Sequence, residues 1–198
     1  MTDKFDLYEE CSFTEWDEHV KSFLSPIDCG EGDLNVFFAH DAILYARQLL
    51  GKTYVWVTSK EPRRVIAAFT VSNDSIKSRL LPKSALNKIN RPINNHKRGR
   101  TYPAVLIGRF GVDKAFQGGQ RHIGTQVMEF IKLWFTSKDN KTGCRFLLVD
   151  AYNSDAVLKF YQRCGFKFLY HTEDEEKDFY GISKEETLRT RMMYFDLK

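Results

Sequence analysis

A chain of 198 residues, 42% apolar and 28% charged, is long enough to bury a substantial core, and its composition is that of a soluble globular protein. Thirty basic residues against twenty-six acidic ones leave a net charge of +4, an excess that suits an anionic ligand without by itself indicating nucleic acid. No apolar run approaches the ~20 residues needed to span a bilayer, and the first residues lack a signal-peptide pattern, so a cytoplasmic protein with no membrane partner is expected.

Cys11, Cys29, Cys144 and Cys164 are widely spaced, without a C-x-x-C pair, which argues against a zinc site or a disulfide framework and predicts free thiols and no metal. No repeat or low-complexity tract divides the chain, so one domain over residues 1–198 is the simplest organisation.

In chain order, residues 4–9 read as a first edge strand. Ser12-Phe13-Thr14-Glu15 has the capping-box pattern and predicts a helix to about Leu24, ended by Pro26. A turn follows at residues 28–33, and Asp33 is a plausible N-cap for a helix to about Leu50, with Gly51 as its C-cap. Leu34, Phe37, Phe38, Ala42, Leu44, Tyr45 and Leu49 give that helix a broad apolar face for the core. Residues 52–59 and 64–72 are rich in β-branched and aromatic side chains and predict two strands, joined through Pro62-Arg63.

Residues 77–100 carry Lys77, Arg79, Lys83, Lys88, Arg91, Lys97, Arg98 and Arg100 and no acidic residue. Pro82 and Pro92 predict a short helix plus loop there, either a docking surface for an anionic substrate, RNA in the extreme case, or a solvated segment.

The most informative stretch is 105–166. An apolar strand, 105–112, is broken by Gly108 and Gly111 and leads into a turn at 117–124, Gln-Gly-Gly-Gln-Arg-His-Ile-Gly. Ile123, Val127, Phe130, Ile131 and Trp134, at spacings of three and four, predict the helix after it. A strand, a glycine-rich turn and a helix start form an anion site, because unpaired amides and the helix dipole point at the turn. No lysine followed by Ser or Thr makes this a Walker loop, and no G-x-G-x-x-G makes it a dinucleotide fingerprint. A second strand at 145–151 and a short helix from about Ser154 end in Phe160-Tyr161-Gln162-Arg163-Cys164-Gly165-Phe166. Strands at 167–170 and 189–197 follow, separated by the acidic stretch Glu173-Asp174-Glu175-Glu176 and Asp178, which reads as a solvated loop or an attractor for a cationic amine.

This combination resembles the GNAT family of acetyl-CoA-dependent N-acetyltransferases, well over residues 101–170 and loosely elsewhere. The match rests on Val112-Asp113, the glycine-rich turn, and Phe160 to Phe166, which fits Phe-Tyr-x-x-x-Gly-Phe residue for residue. The turn, from Gln117 to Gly124, is longer than the family pattern. Asp28-Cys29-Gly30 followed by Asp33-Leu34-Asn35 is similar to the start of the toxin branch, which acetylates the amino acid of charged tRNA.

The resemblance implies an α/β fold in one GNAT-like domain, with a mixed, mostly antiparallel sheet of about seven strands flanked by helices. It implies acetyl-CoA as cofactor, bound through the backbone of Phe110, Gly111 and Val112 and through the turn Gln117, Gly118, Gly119, Gln120, Arg121, His122, Ile123, Gly124 and Thr125. Asn153 matches a position that bonds the pantetheine amide, with a helix N-cap as its alternative. Tyr161 occupies the general-acid position, its phenol placed to protonate the departing sulfur, while Phe160 is expected to face the core. The fourth strand carries Arg109 where the family often has a carboxylate base. Asp113, Asp150 and His122 are available, none singled out by spacing, and water or an amine of low pKa would make a base unnecessary.

The implied reaction is direct transfer of an acetyl group to a primary amine. The acceptor is a small or protein amine or, in the toxin-type alternative, aminoacyl-tRNA. A non-catalytic acyl-CoA-binding module is a third reading. The resemblance leaves tRNA and a second copy of the chain open as partners.

Overall fold

The computed structural model describes residues 5–94, 98–99, 101–118, 121–140 and 142–198. Its strands are β1 (Cys11–Glu15), β2 (Lys52–Thr58), β3 (Val65–Ile76), β4 (Tyr102–Val112), β5 (Phe146–Tyr152), β6 (Lys167–Phe168) and β7 (Thr190–Asp196). They form one sheet in the order β1-β2-β3-β4-β5-β7-β6. Asp113 N–H donates to Ile66 O at 2.9 Å, so the end of β4 meets the start of β3, as antiparallel neighbours do. Arg145 N–H donates to Pro103 O at 3.0 Å, so β4 and β5 start side by side, as parallel neighbours do. The expected α/β class with a mixed seven-stranded sheet is present.

The helices are α1 (Leu7–Glu10), α2 (Glu18–Phe23), α3 (Gly32–Val36), α4 (Ala42–Arg47), α5 (Lys83–Asn90), α6 (Ile123–Thr136), α7 (Asp155–Arg163) and α8 (Glu173–Tyr180). The chain divides into two compact units, Met1–Ser72 with Ile107–Trp134, and Asn73–Leu106 with Phe135–Lys198.

In the first unit, alternation along β2 sends Val55 and Val57 to one face and Tyr54 and Trp56 to the other. Val55 and Val57 pack with Trp16, Phe37, Phe38 and Ile43. On the opposite face Phe13, Tyr54, Trp56 and Phe69 form an aromatic layer with Phe130 and Trp134 of α6.

This aromatic layer explains the first departure from expectation. Ser12 to Glu15 do not cap a helix; they are β1, paired in register with Val57 to Tyr54. Packing Phe13 against five other rings outweighs a capping box, which is a local signal. The helix starts later, where Asp17 accepts the Val20 amide at 2.8 Å. Residues 5–9 are likewise not an edge strand: the Asp6 carboxylate accepts the Tyr8 amide at 2.8 Å and opens α1. Lys4 lies outside the described residues.

The long helix expected from Asp33 to Leu50 begins with Glu31 at the cap position and is interrupted by a π-helical turn, Phe37–Asp41. Trp16 Nε1 donates to Phe38 O at 3.0 Å and Lys21 Nζ to Ala39 O at 2.6 Å, drawing both carbonyls out of the helical ladder. At the C-terminal end Leu49, with φ 58°, takes the left-handed position, and Leu50 N–H bonds back to Tyr45 O in a Schellman closure. Gly51 is not the cap; a Cβ there would lie 2.9 Å from both the Tyr45 ring and Val71 O. Leu44 and Leu49, expected in the core face, are exposed.

In the second unit the core gathers Ile76, Ile89, Tyr102, Ala104, Phe146, Leu148, Leu169, Tyr170 and Tyr194. The basic segment has the short-helix-plus-loop form expected, a 3-10 turn at Ser78–Leu80 followed by α5; Lys97 and Arg100 lie outside the described residues. The acidic stretch is α8 rather than a loop. Thr172 caps it by accepting the Glu175 amide at 3.1 Å, and four carboxylates in its first turn suit the helix dipole. Glu176 turns inward, its Oε2 2.6 Å from Arg191 Nε and its Oε1 2.6 Å from the Met192 amide. Ser84 of α5 donates to the Glu175 carboxylate at 2.9 Å, so a hydrogen bond ties the basic segment to the acidic helix.

Candidate active site

In the first unit the strand end and the turn are shaped by the residues behind them. Phe110 and Val112 are half-buried and Gly111 is buried at the end of β4. A Cβ on Gly111 would lie 3.1 Å from Cys29 Cβ and 3.3 Å from the Phe38 ring, so a side chain there would press that loop off the strand. Asp113 Oδ1 then accepts the Ala115 amide at 2.9 Å and opens a 3-10 turn, Lys114–Phe116.

Gln117 at the head of the turn is committed to the scaffold: its Nε2 donates to Cys29 O at 2.8 Å and Val112 O at 2.7 Å. Gly118, at φ 69°, is exposed and has nothing within 4 Å of the place a Cβ would occupy. Gly119 and Gln120 lie outside the described residues. Arg121 and His122 are exposed, His122 at φ 48°, and the Arg121 guanidinium stands 5.5 Å from the Phe116 ring and 5.7 Å from the Phe5 ring. Ile123 is buried as the first residue of α6, with Gly124 and Thr125 half-buried behind it.

The amides of Ile123 and Gly124, in the first turn of a fourteen-residue helix, have no acceptor among the described residues. With the exposed Arg121 beside them and open space at Gly118, this end of the turn fits a pyrophosphate.

Two features of this half were not legible as site residues. The Asp28-Cys29-Gly30 turn is the buttress of the strand end: Asp28 Oδ1 accepts the Asn35 side chain at 2.7 Å and the Gly30 amide at 3.0 Å. Its Oδ2 pairs with Lys114 Nζ at 3.1 Å. These bonds, Asn35 first, hold the Asp28 carboxyl below the usual carboxylate range. Gln126 of α6 donates to Arg121 O at 2.7 Å and Phe5 O at 3.1 Å, and accepts the Leu7 amide at 3.0 Å, tying the turn to the N-terminal segment. For the first the sequence offers a turn pattern and the resemblance of Asp28-Cys29-Gly30 and Asp33-Leu34-Asn35 to the toxin branch, and for the second it offers nothing.

In the second unit Tyr161 lies on α7, and it, not Phe160, is the buried member of the pair; Phe160 is half-buried. The amphipathic register of a nine-residue helix puts Tyr161 and Cys164 inward together. The Tyr161 ring meets the edges of Phe160 and Phe166, at 5.1 and 5.5 Å between centroids. Burial pushes its phenol pKa well above the usual value, so the hydroxyl keeps its proton across the physiological range. No hydrogen bond from that hydroxyl is found among the described residues.

Asn153 is not the helix cap, a position held by Ser154. Its Nδ2 donates to Leu188 O at 3.0 Å and Glu173 Oε1 at 3.3 Å, which orients the loop before α7.

Of the carboxylates open as a base, Asp113 accepts the Ala115 and Asp28 amides, and Asp150 is exposed near the end of β5. Burial raises the thiols of Cys11, Cys29 and Cys144, Cys11 to about 12, so none is a ready nucleophile. Among the described residues no group of three or more His, Cys, Asp or Glu side chains is placed to hold a metal, and no helix is long and apolar enough to cross a membrane.

No family model and no curated protein matches the sequence. Solved structures with this fold include a tyrosine-to-phenylalanine mutant of KacT, with a TM-score of 0.63 and 19% identity over 95% of each chain. AtaT complexed with acetyl-methionyl-tRNAfMet has a TM-score of 0.60 and 17% identity over 94% of this chain and 95% of that one. A tyrosine-to-phenylalanine mutant of the AtaT toxin, bound to acetyl-CoA and the C-terminus of the antitoxin AtaR, has a TM-score of 0.56 and 16% identity over 95% and 94%. The chain therefore has the fold of the AtaT toxin, the GNAT fold that its own turn and Phe-Tyr-x-x-x-Gly-Phe motif resemble.

Proposed function

We propose that this chain is an acetyl-CoA-dependent N-acetyltransferase that moves the acetyl group directly to a primary amine, with the α-amine of aminoacyl-tRNA as the favoured acceptor. The observation that carries the reading is the fold shared along 94% of the chain with AtaT, a protein seen with an acetylated methionyl-tRNA. Its support within the chain is a turn whose first helix amides have no acceptor among the described residues and, with Arg121, suit a pyrophosphate, and a buried tyrosine that retains its proton.

Acetyl-CoA supplies a thioester carbon for the amine nitrogen to attack, so that a C–N bond forms, the C–S bond breaks and the sulfur leaves as a thiolate. The Ile123 and Gly124 amides and Arg121 bind the pyrophosphate. An amide of Phe110, Gly111 or Val112 polarises the thioester carbonyl, and Gln117 keeps that strand end in place from behind. Tyr161 gives its proton to the leaving sulfur, and the proton lost by the amine on acylation passes through water and restores the phenol. The raised cysteine thiols support direct transfer over a covalent acetyl-enzyme.

The aminoacyl-tRNA acceptor is favoured also by the exposed cations Lys77, Arg79, Lys83 and Arg91 on and around α5, which suit a phosphate backbone. Incubation with charged tRNA and labelled acetyl-CoA, followed by ester hydrolysis, should release N-acetyl amino acids. Label that stays out of the amino acid but enters a small amine or a protein would move the acceptor to that class.

A further inference from the structure

Arg109 is an exposed cation on β4 with no carboxylate partner among the described residues. Its guanidinium carbon lies 4.9 Å above the centre of the buried Phe37 ring, and its Nη1 donates to Gly108 O at 2.7 Å. Phe37 in turn opens the π-helical turn whose next two carbonyls are held by Trp16 and Lys21. The platform under Arg109 is fixed, so the charge is held in one place.

Alternation along a strand puts Arg109 on the same face as Gly111, about 7 Å apart. The cation thus stands next to the amides of Phe110 to Val112. The ionisable groups of the helical segment that carries Phe37, from Gly32 to Arg47, are Asp33, His40, Asp41, Tyr45 and Arg47; neither carboxylate pairs with Arg109 among the described residues, Tyr45 packs edge-on against Phe37, and Arg47 is paired with Glu18. On its own strand and turn Asp113 is tied to backbone amides and Lys114 to Asp28, while Val65 to Ser72 of β3 carries no charge.

We propose that Arg109 stands in for a general base: its fixed charge keeps the acceptor's amine in the unprotonated form when that amine is bound beside the end of β4. An ammonium near a guanidinium is disfavoured by like-charge repulsion, and the released proton passes to water. The amine lone pair is then free to form the C–N bond without a carboxylate to take the proton. The inference rests on the acetyltransfer reading above.

The test is the pH dependence of thiol release by wild type, Arg109→Gln and Arg109→Lys, with acetyl-CoA and bulk aminoacyl-tRNA. The acid limb of kcat reports the bound amine, and that of kcat/KM the free one. Arg109→Gln should move the kcat limb up by about one pH unit and leave the kcat/KM limb in place, and Arg109→Lys should restore it. High salt should shrink the shift. An unmoved kcat limb overturns the proposal. So does a raised KM with both limbs in place, which would make Arg109 a binder of an acceptor anion. If wild type itself releases no thiol, the acetyltransfer reading fails and this inference falls with it.

Discussion

Gln117 Nε2 lies 2.8 Å from Cys29 O, a hydrogen bond between residues 88 apart, and the same nitrogen reaches Val112 O at 2.7 Å. One side chain thereby closes the N-terminal loop against the strand end from which the turn departs. Gln117→Glu keeps the shape but cannot donate, and it sets a carboxylate against two carbonyl oxygens. It should lower stability by about 1–2 kcal/mol in urea unfolding and weaken acetyl-CoA binding measured by calorimetry.

Gly111 and Gly118 should respond differently to alanine. At Gly111 the new methyl meets Cys29 and Phe38 within 3.3 Å, and overpacking there should cost about 1–3 kcal/mol. At Gly118 there is room, and the cost of a side chain at φ 69° should be about 1 kcal/mol. Thermal unfolding of the two variants checks the order, with Gly111→Ala melting lower.

Arg191 and Glu176 form a buried pair at 2.6 Å. Arg191→Met leaves a carboxylate buried without its partner and should destabilise by about 3–5 kcal/mol. Burial already pushes the Glu176 carboxyl above the usual carboxylate range, against the pull of Arg191 and the Met192 amide. A carboxyl raised in the folded state takes up a proton more readily folded than unfolded, so its variant gains stability as pH falls and loses it as pH rises. Urea midpoints of Arg191→Met should therefore lie nearer wild type at pH 5 than at pH 8.

Much of the fold was legible because its signals were local and mutually consistent. The periodicity of Ile123, Val127, Ile131 and Trp134 marked α6, and β2, β4 and β5 were readable as apolar runs. The N-terminal errors have one cause. Ser12 to Glu15 carry a valid capping pattern, but Phe13 belongs to an aromatic layer assembled from residues up to Trp134, which no local window contains. Glu176 looked like one of a solvated run because its partner, Arg191, comes fifteen residues later.

At the candidate site the residue types were readable and their duties were not. Gln117 looked like a phosphate ligand and serves as a clamp; Asp28 looked like a turn residue and supports the strand end. Hydrogen-bond partners 86 to 88 residues away decide both roles.

Free-thiol release from acetyl-CoA, with bulk aminoacyl-tRNA as acceptor, compares wild type with Tyr161→Phe most directly. Because burial raises the Tyr161 phenol far above neutrality, wild-type turnover should not fall through ionisation of this tyrosine up to about pH 10. The account predicts thiol release by wild type and a loss of about 10²-fold or more in Tyr161→Phe, with acetyl-CoA still bound. Equal turnover by the two proteins would contradict the role of Tyr161, and acetyl-CoA binding with no thiol release by wild type would contradict the enzyme.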